Sequence, residues 1–409
     1  MVSPKLCIRC KGKLLCGLKS CPILEKHDFI ERTPALKGTS FSGNSPPSIF
    51  VSWKGYPKVS IAPLSPPFLE DTSLLDMPER WFGLPQEKII SMRQQLIRPR
   101  KSVNAAAASN PSYDLIEIQE LSMAVDPVAV GIDLKKKIST DFSFDEGVAP
   151  MGPSAPLKSF SLEENPHIPK KIDYLVSDTN VKSQTALMEL YDSGIEISRL
   201  HKLLSAGTLG VKKNRRLVPT RWAITAVDNN ISKEIINENV KGFQQINEFE
   251  LFHSNYLDNN FWILLIPGSW AFEQIECWLP GGTWAVNASA PILSQDFEFY
   301  GGMKGYASNV EGAYYAARLA VAEYLTLRKR QAACIVFREI GSDYKIPLGV
   351  WQIRENVRNA FYKKPLSFSS LSLALTFLSK KLKVSIKDYE KQSKLIDYLK
   401  NQKTLAQWS

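Results

Sequence analysis

The chain has 409 residues, 44% of them hydrophobic and 22% charged, with a formal net charge of +10 at pH 7. That length and apolar content suit a folded protein of about two domains and exclude wholesale disorder. The positive balance favours contact with a polyanion without separating nucleic acid from a merely basic, solvated surface.

The first residues scatter Lys5, Arg9, Lys11 and Lys13 among cysteines with no apolar core, which argues against a secretory signal. The run Phe261 to Ile266 is too short to span a bilayer and stops at Pro267-Gly268. A soluble cytoplasmic protein with no membrane partner is expected.

Four of the six cysteines stand at Cys7, Cys10, Cys16 and Cys21. Four thiolates complete a tetrahedral Zn²⁺ shell, and a CxxC pair lets two of them reach one metal from a tight turn. A structural zinc knuckle is the leading reading. An iron–sulfur cluster, given Pro22 after the last cysteine, and a pair of disulfides are the competitors. Lys11, Lys13 and Lys19 are placed to offset the charge of the site and to meet phosphate. Cys277 and Cys334 sit singly in apolar surroundings and read as core.

Pro, Ser and Gly dominate from Glu31 to Leu69, interrupted by Ile49-Phe50-Val51-Ser52-Trp53 and Val59-Ser60-Ile61 around Gly55-Tyr56-Pro57. Two short strands joined by a turn fit this pattern, with Lys54 and Lys58 beside the aromatics as a candidate base-stacking platform. Pro85 opens a helix reaching about Ile97, with Arg98, Arg100 and Lys101 beyond its end. Tyr113 to Leu121 alternates loosely and predicts a strand, and the prolines of Gly147 to Pro169 predict a long surface loop.

Ser183 to Tyr191 and Ile195 to Leu204 predict two helices broken at Ser193-Gly194. Lys212, Lys213, Arg215 and Arg216 then lead through Leu217-Val218-Pro219-Thr220 into Arg221 and Trp222. Such a cluster, running into a predicted strand over Trp222 to Val227, can present guanidinium groups to phosphates. These five basic residues are the candidate nucleic-acid contacts. A solvated loop paired with local carboxylates is the alternative.

Phe261 to Ile266 predicts a buried strand, Glu311 to Arg330 a helix, and Ala333 to Arg338 and Leu348 to Ile353 two further strands. Glu355 to Tyr362, Leu366 to Leu378 and Ile386 to Leu399 predict helices. No Walker sequence, nucleophile elbow or zincin motif is present, and His27, His167, His201 and His253 do not pair at metal-ligand spacing. Arg338-Glu339 followed by Asp343-Tyr344-Lys345 is the one fragment that fits a metal-dependent nuclease or nucleotide-processing enzyme, with acid and lysine near a strand end. Catalysis is left open.

The last residues are Gln402, Lys403, Thr404, Leu405, Ala406, Gln407, Trp408 and Ser409. Gln402, Leu405 and Trp408 recur at intervals of three, so one 3₁₀ turn aligns them on one face as a docking key. The spacing resembles the PIP box by which repair proteins hold PCNA, the DNA polymerase sliding clamp. Ser409 replaces the usual second aromatic.

The four-cysteine head, Gly55-Tyr56-Pro57-Lys58-Val59, Pro78-Glu79-Arg80-Trp81, Asn214 through Trp222, Pro347-Leu348-Gly349-Val350-Trp351 and the tail together resemble the archaeal Nre family of DNA repair proteins. The resemblance spans nearly the whole chain. It implies a zinc finger on the four cysteines, a clamp-binding tail and a role in repair on DNA, without fixing a reaction. The expected architecture is an α+β, mixed two-region protein with a small N-terminal zinc knuckle and a helical C-terminus. The regions expected are a knuckle at 1–25, a large N-terminal region at 26–280, a smaller C-terminal region at 281–395 and the tail at 396–409.

Overall fold

The computed structural model describes residues 3–18, 21, 36, 38–138, 143–145 and 148–401. The chain divides into two compact units, Lys26–Ile231 and a second made of Met1–Glu25 with Ser232–Ser409. Each unit carries a six-stranded mixed sheet among the described residues, so the α+β expectation holds. The first helix, α1 (Pro4–Cys10), belongs to the second unit.

In Lys26–Ile231 the strands are β1 (Ser40–Ser45), β2 (Ile49–Val51), β3 (Lys58–Pro63), β4 (Arg98–Asn104) and β5 (Val128–Leu134). A two-stranded ribbon, β6 (Ser143–Asp145) with β7 (Val148–Met151), precedes β8 (Ser154–Leu162). The main sheet runs β1-β5-β8-β4-β3-β2, with β4 and β8 parallel and the other neighbours antiparallel. The helices are α2 (Gln86–Gln94), α3 (Tyr113–Met123), α4 (Lys170–Ser177), α5 (Ser183–Asp192) and α6 (Ile197–Ser205). Val128, Val130, Ile132 and Leu134 are buried with partly exposed residues between them, the period of two of a strand with one face in a core.

Three expectations fail in this unit before residue 170, each for a local reason. Tyr113–Leu121 is helical, because Leu115, Ile118 and Leu121 recur every three residues and all bury into the core that β5 lines. The Gly147–Pro169 segment holds β7 and β8 rather than a loop. Proline lacks a donor but still accepts: the carbonyls of Pro153 and Pro156 take the N–H of Arg98 and Lys135, each at 2.8 Å. Arg98, Arg100 and Lys101 consequently lie on β4 and not at a helix end, and α2 stops at Gln94. The two strands flanking the Gly-Tyr-Pro turn form as expected.

The second unit holds β9 (Phe249–Tyr256), β10 (Asn259–Ile266), β11 (Ala271–Trp278), β12 (Ile292–Glu298), β13 (Ala333–Ile340) and β14 (Leu366–Phe368). Their order is β12-β11-β13-β10-β9-β14, parallel only between β11 and β13. A helix reaching into this unit, α7 (Thr220–Glu238), is followed by α8 (Gly312–Arg328), α9 (Trp351–Phe361), α10 (Leu371–Leu378), α11 (Ile386–Gln392) and α12 (Lys394–Asn401). Every residue of β11 and β13 is buried, as in strands covered on both faces. One face sets Leu264, Ile275, Ile335 and Phe337 against Leu378, Tyr389, Leu395 and Ile396 of the last three helices.

Here the chain departs from expectation at element ends. Leu348–Ile353 is no strand, since α9 already begins at Trp351. Leu366–Phe368 pairs with β9, and Ser370 starts α10 by accepting the Leu373 N–H at 3.3 Å. The helix expected over Ile386–Leu399 splits at Ser393. Its hydroxyl accepts the Ile396 N–H at 3.0 Å, and Glu273 accepts the N–H groups of Lys394 (2.8 Å) and Leu395 (3.2 Å). A buried carboxylate on β11 thus caps the start of α12.

In the first unit, one buried carboxylate ties together segments remote in sequence. Asp76 accepts from Ser48 and pairs with Arg93 on α2 and with Lys202 on α6, the last at 2.9 Å. Burial works to raise this carboxyl, but the two cations and the hydrogen bonds outweigh it and hold it at about 2 against an ordinary 3.8. A pKa depressed on folding adds stability above the unfolded value that disappears as pH falls through the folded one. Asp76 therefore contributes about 2 kcal/mol at neutral pH, lost between about pH 4 and pH 2. Asp76→Asn is expected to cost roughly 3 kcal/mol at pH 7 and to flatten the acid limb of stability. Urea unfolding across pH 2–7 checks this, and parallel acid limbs for parent and variant would contradict it.

Candidate nucleic-acid interface and cysteine head

The head is a short helix followed by tight turns. Pro4 opens α1, which carries both Cys7 and Cys10. Lys11, Gly12, Leu14 and Gly17 all take positive φ, so the chain doubles back after Cys10. The Cys10 sulfur accepts the Leu15 N–H at 3.2 Å, which ties the turn back to the end of α1. Burial and then the nearness of Cys21, Cys10 and Cys16 push the Cys7 thiol up. Cys7 is thus within electrostatic reach of the other three sulfurs. Four cysteine side chains are the donor type that Zn²⁺ takes in structural sites. Among the described residues no three such side chains close on a point as a finished metal site, and none of the six cysteines is in a disulfide.

The lysines of the head do not point at a free partner. Lys11 is buried, with its ammonium 3.3 Å from Glu276 on β11 and 5.6 Å from the centre of the Trp278 ring. Lys13 pairs with Glu311. Lys19 lies outside the described residues. Arg338 on β13 approaches the other oxygen of Glu276 and donates to Asn259 at 2.6 and 3.0 Å. Burial pushes the Glu276 carboxyl up, but Lys11 and Arg338 beside it win and the net shift is downward. Glu276 stays ionised in the core because two cations face it.

Arg338 and Glu339 occupy successive positions on β13 and so face opposite sides of the sheet. Glu339 accepts the N–H groups of Lys383 (2.7 Å) and Val384 (3.1 Å) and the hydroxyl of Tyr389 (3.2 Å). Both side chains are buried and engaged, whereas Asp343 and Lys345 lie exposed in the loop beyond. Among these residues the structure assembles no paired acids of the kind a two-metal nuclease uses.

The basic segment has a different character from residue to residue. Lys212, Lys213 and Arg216 are exposed, and Arg221 is half-buried. Arg215 turns inward, donating to the carbonyls of Gly210 (2.8 Å), Val176 (2.6 Å) and Asp178 (3.3 Å). It holds the loop in shape, and burial lowers its pKa from the ordinary value. Trp222–Val227 is helix, not strand. Ala223, Val227 and Ile231 are fully buried at intervals of four, and the Trp222 N–H bonds the Pro219 carbonyl at 2.8 Å.

The fold brings this segment to the β2–β3 hairpin. Ala105 is the pin: its N–H donates to Pro57 and its carbonyl accepts the Leu217 N–H, both at 2.8 Å. Thr220 adds a tie through its hydroxyl, which accepts the Val51 N–H at 2.8 Å. Gly207 lets the segment pass close, since a Cβ there would sit 2.6 Å from the Arg216 carbonyl. Tyr56 and Trp222 meet with ring centres 5.1 Å apart. In the sequence alone the hairpin and the basic segment read as separate features. The signal that joins them, Gly55-Tyr56-Pro57 needing a partner for its exposed ring, is weak without the fold. Gln402, Lys403, Thr404, Leu405, Ala406, Gln407, Trp408 and Ser409 lie outside the described residues, and α12 leads up to them.

Two family profiles match the chain, "Archaeal Nre, N-terminal" over residues 15–285 and "Archaeal Nre, C-terminal" over 298–408. DNA repair protein NreB of Archaeoglobus fulgidus is 38% identical over 95% of this chain and 96% of its own length. DNA repair protein NreA of the same organism is 38% identical over 93% and 95%, and NreA of Haloferax volcanii 35% over 94% of each. No solved structure matches. Among the described residues no helix is long and apolar enough to cross a membrane. The profiles and the relatives agree end to end, and the chain belongs to the archaeal Nre family.

Proposed function

We propose that this protein is a DNA repair factor that holds DNA through its basic middle segment and is brought to it by the sliding clamp PCNA. Three relatives named as DNA repair proteins, aligned over nearly their whole length, support the repair role. The observation that carries the DNA-contact half is the convergence of two segments on one exposed surface. Lys54 and Lys58 flank the hairpin tip, and Lys212, Lys213 and Arg216 flank the helix start. Lysine heads at an exposed surface meet phosphates at low desolvation cost, and Arg216 stands beside them with its guanidinium donating to the carbonyls of Lys213 (3.2 Å) and Arg215 (2.8 Å). Arg215 supports the loop instead of contacting DNA, and Arg221 stands at the first turn of α7.

Cys7, Cys10, Cys16 and Cys21 are the residues that would hold Zn²⁺. A bound zinc neutralises thiolates and cross-links a head too small to have a core of its own. Metal analysis of the purified chain is expected to find about one zinc per molecule, lost in Cys7→Ser/Cys10→Ser. Iron with visible absorbance, or no metal, would contradict the zinc assignment.

The tail supports clamp recruitment through Gln402, Leu405 and Trp408. Ser409 in place of a second aromatic leaves part of an apolar pocket unfilled, so affinity in the micromolar range is expected, of order 10 μM. Calorimetric titration of the full chain into the organism's own clamp tests this. Leu405→Ala/Trp408→Ala is expected to weaken binding at least about tenfold with folding intact. A double variant that still binds like the parent would remove the tail from the account.

A further inference from the structure

We infer that Tyr56 and Trp222 form the base-stacking element of the DNA site, and that the ligand it takes is an unpaired stretch of single-stranded DNA. The inference rests on the DNA reading above and deepens it. The two rings are 46% and 43% exposed and inclined at 54°. A lone half-exposed aromatic is ordinary on a surface. These two are held in place from below. Gly55, at φ +84°, sets the turn that lifts Tyr56 to the hairpin tip, where a Cβ would press on the Lys58 carbonyl at 2.9 Å. Trp222 sits in the first turn of α7, anchored by the Thr220–Val51 bond.

At that tilt the rings meet without lying flat on one another, and about half of each remains exposed to solvent. The exposed cations around the pair are Lys54, Lys58, Lys212, Lys213 and Arg216. Phosphate contacts alone cannot tell a duplex from a single strand. A free aromatic face can, because only an unpaired base offers its own face for stacking, and it does so whatever the base.

The test is fluorescence anisotropy of the full chain with a single-stranded oligonucleotide, its duplex and the RNA of the same sequence. The parent is compared with Tyr56→Ala/Trp222→Ala, Tyr56→Phe/Trp222→Phe and Lys212→Ala/Lys213→Ala/Arg216→Ala. The alanine pair is expected to lose about tenfold or more on the single strand with duplex binding unchanged. The phenylalanine pair should retain most of the affinity. The basic triple should weaken both ligands and shallow the salt dependence. Single-strand binding untouched by the alanine pair but lost in the basic triple would overturn the stacking inference and leave the DNA reading standing. A parent that binds neither DNA would sink both. Equal loss on both DNA ligands, or an aromatic-dependent preference for the RNA, would also overturn the inference.

Discussion

Glu276 is the constraint from which much of the second unit follows. A carboxylate buried in the middle of a sheet costs several kcal/mol unless cations face it, and removing one partner strands the other. Arg338 supplies one cation from the adjacent strand, and Lys11 supplies the second from the opposite end of the chain. The head cannot leave the sheet without uncovering an ionised group. Lysine at that position is therefore a structural anchor, and the cysteines on either side of it are held against a rigid surface.

The same physics recurs on the other face of β11. Glu273 has the opposite parity to Glu276, so it meets the C-terminal helices and accepts the N–H groups that open α12. Glu339 does the equivalent for the chain entering α11. Burial raises the Glu273 carboxyl despite its hydrogen bonds, which marks how fully it is enclosed. Sheet carboxylates thus fix both the head and the helix that leads to the tail. In the first unit Asp76 acts in kind, and Ala105 joins the hairpin to the basic segment through neutral backbone bonds.

Periodicity made some of this legible. Phe261–Ile266 is uniformly apolar and Ala333–Arg338 is so up to Phe337, so both read as buried strands, and the alanine-rich stretch after Glu311 reads as a helix. Tyr113–Leu121 misled because Ile116 adds an apolar residue off the helical stripe and blurs the period. Trp222–Val227 looks strand-like because it holds an aromatic and three β-branched residues, while the decisive Ala223–Val227–Ile231 stripe runs past its end. The prolines of 150–156 concealed β8 because proline is excluded from central strands only where its missing donor is needed. For the site, the basic residues were visible, but not that Arg215 turns inward. Nor could spacing show that Lys11 is paired with a residue 265 positions away.

The central claim is that the hairpin tip and the basic segment form one DNA-binding surface. Hydrogen–deuterium exchange of the full chain, with and without saturating single-stranded DNA, tests it most directly. The account expects slowed exchange at residues 52–58, 104–109 and 212–224 together, with the sheet strands of the second unit unchanged. Slowing confined to the second unit, or at only one of those first-unit segments, would contradict it.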